Sequence, residues 1–183
     1  MTGFWREVFG NDRPVEVEIG SGTGTFLLSA ARANPSSNFF GLERSRTRAR
    51  QVAELIAAHG LPNARVLAAD ATCIVTRLIA PASVSAYHIY FPDPWWKRRH
   101  HRRRLFTPEL AAALSRTLQP GGRVFVATDV DTVYQLATAT LSIGLSREPS
   151  IPPRRIGQTV FERKGLQRGG TIYEAAFRRQ PAA

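Results

Sequence analysis

Five short apolar segments recur along this chain, each closing on an acid or a glycine run, and that repetition restricts the fold more than any other feature. The segments cover residues 15–19, 38–42, 64–69, 84–90 and 123–127. Their ends carry Glu18 with Gly20-Ser21-Gly22-Thr23-Gly24, then Glu43, Asp70, Asp93 and Asp129. Between them lie stretches of helical character: Thr25 to Ala33, Ser45 to His59, Ala71 to Ile79, Thr107 to Leu118, and Val130 to Leu141. In the second of these, Ala49, Val52, Ala53, Ile56 and Ala57 share one face. Ser45 and Thr107 are placed to cap, and Pro108-Glu109 suits a first helical turn. Gln119-Pro120-Gly121-Gly122 reads as a helix stop before the fifth strand. Phe4, Trp5, Val8 and Phe9 suggest a short lead-in helix, and Thr171 to Arg178 a final strand; residues 146–157 are rich in Pro and Arg and take no assignment. Strands alternating with helices at this spacing predict an α/β fold, Rossmann-like and doubly wound on a mostly parallel sheet. No repeat, linker or low-complexity stretch interrupts the pattern, so residues 1–183 read as a single domain.

In such sheets ligands bind beyond the carboxyl ends of the strands, where these acids fall. The run Gly20-x-Gly22-x-Gly24 lets the backbone turn tightly and approach a ligand. It is not the dinucleotide fingerprint, because position 25 is Thr. Glu43, at the second strand end, stands where an acid can accept from both hydroxyls of a ribose. Asp70, one strand on, can accept from an adenine amino group. Glu18, at the entrance to the loop, suits a cationic amino-acid moiety. An acidic loop repels a pyrophosphate but matches a zwitterionic sulfonium, so the set describes S-adenosylmethionine (SAM) better than NAD. The bland alternative for Glu43 or Asp70 alone is a helix cap or a solvated carboxylate.

The fourth segment runs into Phe91-Pro92-Asp93-Pro94-Trp95-Trp96-Lys97. Two prolines flanking Asp93 stop the strand and restrict the turn, which holds the carboxylate in place. Six of the eight residues from Lys97 to Arg104 are Lys or Arg. A fixed carboxylate, an aromatic wall and a polycationic tail are what a site acting on a nucleic-acid base needs. The chain carries a net charge of +11, and only Lys97 and Lys164 of its 25 basic residues are lysines. Arg offers a planar fork suited to phosphate, so a polyanionic partner is expected. The single cysteine, Cys73, rules out an internal disulfide and a cysteine-based metal cage. No stretch reaches the ~18 apolar residues of a membrane span. The expectation is a soluble, cytoplasmic protein with no membrane and no metal partner.

Glu18-Ile-Gly-x-Gly-x-Gly, Gly41-Leu-Glu43, Asp70-Ala71, Phe91-Pro-Asp-Pro-Trp-x-Lys-x-Arg-His-x-Arg-Arg-Leu105, Ala127-Thr-Asp129 and Thr159-Val-Phe-Glu162 together resemble the TrmB family, which are SAM-dependent tRNA (guanine-N7)-methyltransferases. The first three motifs are common to many methyltransferases. The Pro-Asp-Pro-Trp and basic segment is specific, and the match runs from Val15 to Phe177. The resemblance implies a class I SAM-dependent methyltransferase fold. It implies SAM bound by Glu18, Gly20, Gly22, Gly24, Glu43, Asp70 and Ala71, and Asp93 in the active site. It implies tRNA and substrate contacts from Lys97, Arg99, His100, His101, Arg102, Arg103, Arg104, Asp129, Thr159, Val160, Phe161 and Glu162. The implied target is the guanosine at position 46 of the tRNA variable loop, and both monomers and homodimers are compatible with such a family. Trp96 takes no role beyond a stacking surface. Two other readings stay open. One is a SAM-dependent enzyme acting on another RNA base nitrogen, since Asp-Pro-Trp loosely matches an amino-methyltransferase motif. The other is a non-catalytic RNA-binding module. Arg44, Arg46, Arg48 and Arg50 crowd a helix start and read as solvated surface, and His59 and His88 read as structural.

Overall fold

The alternation of Val15, Val17 and Ile19 with Glu16 and Glu18 gives the first strand, β1 (Val15–Ile19), two unlike faces. Its apolar face joins a core with Phe40, Leu42, Tyr87, Ile89, Val124 and Val126 from neighbouring strands. The computed structural model describes residues 3–95, 104–150 and 170–180. In chain order these form α1 (Gly3–Phe9), β1, α2 (Thr25–Ala33), β2 (Asn38–Glu43), α3 (Arg46–Ala58), β3 (Ala64–Ala68), α4 (Ala71–Arg77), β4 (Val84–Tyr90), α5 (Pro108–Thr117), β5 (Leu118–Thr128), α6 (Asp131–Leu141), β6 (Ser146–Arg147) and β7 (Tyr173–Arg178). The sheet order is β3-β2-β1-β4-β5-β7-β6. The first five strands in that order are parallel; β7 runs antiparallel to both β5 and β6. The expected doubly wound, mostly parallel sheet is therefore present. The strand order reverses between β1 and β4, which makes their carboxyl ends the switch point.

Helices cover both faces. Phe26, Leu27, Ala30 and Ala31 of α2 meet Val52 and Ile56 of α3 over Phe39 and Ala64. Residues of α1, α4, α5 and α6, among them Phe9, Ile74, Leu110, Leu114 and Val133, cover the other face. The lead-in helix is anchored by aromatic packing, with the Trp5 ring 5.3 Å and the Phe9 ring 6.4 Å from that of Phe40. The expected caps form: Ser45 accepts from the Arg48 N–H and Thr107 from the Leu110 N–H.

One boundary differs from the sequence reading. The fifth strand begins at Leu118, not Arg123, and the Gln119-Pro120-Gly121-Gly122 turn lies inside it. Pairing with β4 jumps from Val84–Leu118 to Ala86–Arg123, and Gly121 takes φ +77°. The turn residues form a bulge rather than a connection because Leu118, fully buried, is held in the core beside Val84. Of the unassigned stretch, residues 146–147 form β6 and residues 151–157 lie outside the described residues.

Candidate active site

The carboxyl ends of β1 to β4 meet at a cavity of about 540 Å³. Its lining includes Glu18, Gly20, Gly22, Glu43, Asp70, Ala71 and Asp93, all named from sequence as candidate site residues. Each reaches it because a strand ends there and the chain turns away before the next helix.

Glu18 is buried, 4% exposed, on the face of β1 opposite the large core. One carboxylate oxygen, Oε2, has no hydrogen-bond partner among the described residues. Burial pushes this carboxyl up to about 8; the nearby Ser21 side chain works against that push, and the negative charge of Glu43 adds to it. Oε2 faces the cavity, and a positive charge placed there would favour the ionised form that burial disfavours.

Glu43 does two jobs within the chain. Its Oε2 accepts from the Gly22 N–H at 2.8 Å and its Oε1 from the Ser45 N–H at 2.8 Å. The side chain therefore ties the glycine loop to the start of α3, and each oxygen keeps a further lone pair for a ligand hydroxyl. The loop is held from the other side too, since the N–H groups of Gly20 and Ser21 donate to the Leu42 carbonyl. Asp70 is exposed and caps α4, its Oδ1 accepting from the Cys73 N–H at 3.1 Å. The cap reading and the cavity reading thus hold together.

Two glycines have steric duties. Gly24 is not in the cavity lining; it lies at φ +76°, and a Cβ there would stand 2.9 Å from Val52 of α3. Its place in the motif is explained by helix–loop packing. Gly41 in β2 faces Ser21, and a Cβ there would meet Ser21 Oγ at 2.4 Å and Leu27 Cδ2 at 2.9 Å. Gly41→Ala is expected to push the glycine loop off the sheet and to cost about 1–3 kcal/mol by overpacking. A thermal melt of the variant checks this.

Asp93 is exposed, at the border of the large cavity and of a second of about 50 Å³ that Pro92, Pro94, Arg104 and Val133 help to line. Strain sits just outside the two prolines: Phe91 has φ +50° and Trp95 φ +45°. Such conformations persist where their surroundings impose them. Here the Phe91 N–H donates to the Ala127 carbonyl of β5 at 2.8 Å, which pins the turn.

Not every candidate converges. Asp129 is exposed at the end of β5 and lines neither cavity. Arg104 lines both. Lys97, Arg99, His100, His101, Arg102, Arg103, Thr159, Val160, Phe161 and Glu162 lie outside the described residues. Arg44 and Arg48 are exposed, as expected, yet they also line the cavity. Sequence reasoning missed Thr25, Phe26 and Tyr90, which line it as well. The signal for Tyr90 was its place as the last residue of β4, next to Phe91. Among the described residues no group of three or more His, Cys, Asp or Glu could hold a metal ion, and no helix is long and apolar enough to cross a membrane.

A family model described as "Putative methyltransferase" matches residues 12–175. A tRNA (guanine-N(7)-)-methyltransferase of Rhodopirellula baltica is 34% identical over 187 residues, covering 94% of this chain and 69% of that protein. One from Burkholderia cenocepacia is 36% identical over 185 residues, covering 96% and 71%. Among solved structures, the aminoglycoside resistance methyltransferase NpmB1 superposes with a TM-score of 0.68 at 19% identity, covering 98% of this chain and 93% of that one. At that identity the likeness speaks for the fold.

Proposed function

The chain belongs to the TrmB family of tRNA (guanine-N7)-methyltransferases, and on that footing we propose how its residues divide the work. The protein is a SAM-dependent methyltransferase that methylates N7 of a guanosine in tRNA. The observation that carries the residue assignment is the meeting of Glu18, Glu43 and Asp70 with Asp93 on one cavity. The donor set suits the cofactor: a buried carboxylate oxygen without a partner for its ammonium, carboxylates at the next two strand ends for ribose and adenine, and a tight glycine loop beside them.

Glu18 holds the amino-acid part, Glu43 the ribose hydroxyls and Asp70 the adenine amino group, with Gly20, Gly22 and Ala71 supplying close backbone. SAM, when bound, supplies a methyl group already activated by its sulfonium. N7 of guanine carries an unprotonated lone pair, so the enzyme needs no general base. The protein's contribution is placement, and roughly 10⁵ M or more of effective molarity is available from it. Asp93 accepts from the guanine N1 and amino hydrogens and favours the positive charge that develops on the base. Asp129 and residues Thr159 to Glu162 contact the substrate. The target is position 46 of the variable loop, and the enzyme works in the cytoplasm as a single domain.

Lys97 and the arginines from Arg98 to Arg104 grip tRNA phosphates. Replacing Arg102 or Arg103 by alanine is expected to lower the slope of log affinity against log salt by about one for each phosphate no longer held. Filter binding of tRNA over a salt series measures it, and wild-type affinity at every salt concentration would reduce the segment to a solvated surface. The experiment that tests the function as a whole is incubation with labelled SAM and bulk tRNA, followed by nucleoside analysis. Label in 7-methylguanosine supports the reading, and label on another base nitrogen replaces it with the alternative.

A further inference from the structure

A half-buried polar chain, unused by the assignments above, leads from β1 to the cavity wall. His88, 5% exposed in the middle of β4, places its Nε2 2.8 Å from Glu16 Oε2 of β1 and its Nδ1 2.9 Å from the Tyr90 hydroxyl. A carboxylate only accepts, so Nε2 carries the hydrogen that Glu16 receives. In the neutral ring Nδ1 is then the acceptor, and the Tyr90 hydroxyl donates to it. The imidazole is clamped between aromatic rings, stacked on Phe125 at 5.2 Å and 4.5 Å from Phe26. Phe26 also meets the Tyr90 ring edge-on at 5.0 Å. Tyr90 in turn lines the main cavity, together with Glu18 and Asp93.

With the ring neutral and its hydrogen on Nε2, polarisation passes from Glu16 through His88 to Tyr90. The Glu16 charge strengthens His88 as an acceptor, and hydrogen bonds in series polarise one another. A phenol that donates such a bond gains electron density in its ring. An electron-rich ring with its hydroxyl drawn toward His88 is a surface for a cation. In the reaction assigned above, the cavity must first receive a positively charged sulfonium. We propose that the Tyr90 ring is a binding surface for the sulfonium of the methyl donor, and that His88 and Glu16 are positioning residues that act through it. The proposal rests on the SAM reading of the cavity and extends it: the carboxylates recognise the ends of the cofactor, whereas Tyr90 recognises its charge state. A charge-selective surface also favours release of the neutral thioether product after transfer.

The test is calorimetric titration of the full chain with SAM and with S-adenosylhomocysteine, which has the same shape without the charge or the methyl. Tyr90→Leu is expected to weaken SAM about 3- to 30-fold, the range of a cation–π contact, and S-adenosylhomocysteine by less than about twofold. Tyr90→Phe and His88→Leu keep a ring at position 90 but remove the polarising bond. Both are expected to lower the ratio of the two affinities by about twofold or more. These two variants carry the test if Tyr90→Leu does not fold. Parallel weakening of both ligands, or an unchanged ratio in all folded variants, overturns the proposal. Failure of the function assignment looks different: wild-type protein would bind SAM and yet leave no label in 7-methylguanosine, while the affinity ratio would still decide the role of Tyr90.

Discussion

Asp93→Ala is expected to lower the turnover of tRNA methylation by roughly 10²- to 10³-fold, the range seen when one preorganised electrostatic contact to a transition state is removed. SAM affinity should change little, because the carboxylates proposed to hold the cofactor stand on other strands. The expectation comes from geometry as well as charge. Asp93 sits between two prolines in a turn whose flanking residues, Phe91 and Trp95, are both held at positive φ. A backbone kept in that state has little freedom to move the carboxylate as the base arrives. Asp93→Asn separates the two jobs given to this side chain. It keeps the size and one accepting oxygen but loses the charge, so it should fall between wild type and alanine. Single-turnover rates with saturating SAM, set beside SAM titrations, supply both numbers. An alanine variant with wild-type turnover would take Asp93 out of the mechanism.

Glu18→Gln should bring the second large effect, and its sign differs between binding and stability. Burial pushes the Glu18 carboxyl up to about 8 from an ordinary value of 4.5. Between those two pH values the folded chain holds a proton that the unfolded chain has released. Its contribution to stability is therefore full below about 4.5 and is lost as the pH rises through about 8, levelling off above. Glutamine removes that dependence, so the variant should melt at a higher temperature than wild type near pH 9 and with a flatter pH profile. Cofactor binding should move the other way. Removing one partner of a buried charge pair costs at least about 2 kcal/mol, or about 30-fold in affinity. Thermal melts from pH 5 to pH 9 and a SAM titration measure the two effects. An identical pH profile would contradict the protonated state of Glu18, and an unchanged SAM affinity would remove it from the amino-acid pocket.

Much of this fold was legible one segment at a time. The limits of α2 and β4 and the caps at Ser45 and Thr107 follow from local signals, because caps and breakers act within a turn of where they stand. The start of β5 did not follow. A Pro-Gly-Gly run normally ends an element, and only the buried pairing of Leu118 beside Val84 overrides it. Gly24 shows the same limit at the site. Its motif suggests a ligand, while a side chain there would strike Val52, twenty-eight positions along the chain and visible only once α3 packs against the loop. The Glu16–His88–Tyr90 chain was out of reach for a related reason. Each member is an ordinary strand residue, and the link from β1 to β4 spans seventy-two positions.

Where strands end, and which ends carry acids, was written in the sequence, since periodicity and turn chemistry are properties of neighbouring residues. Those signals are enough to single out Glu18, Glu43, Asp70 and Asp93. Which strands become neighbours was settled only in three dimensions. The order β3-β2-β1-β4-β5 brings Asp93 beside Glu18 at the switch point and leaves Asp129, of the same residue type and at an equivalent strand end, outside the cavity. A strand encodes which of its faces is apolar, whereas its partners are chosen by how all the apolar faces are buried together.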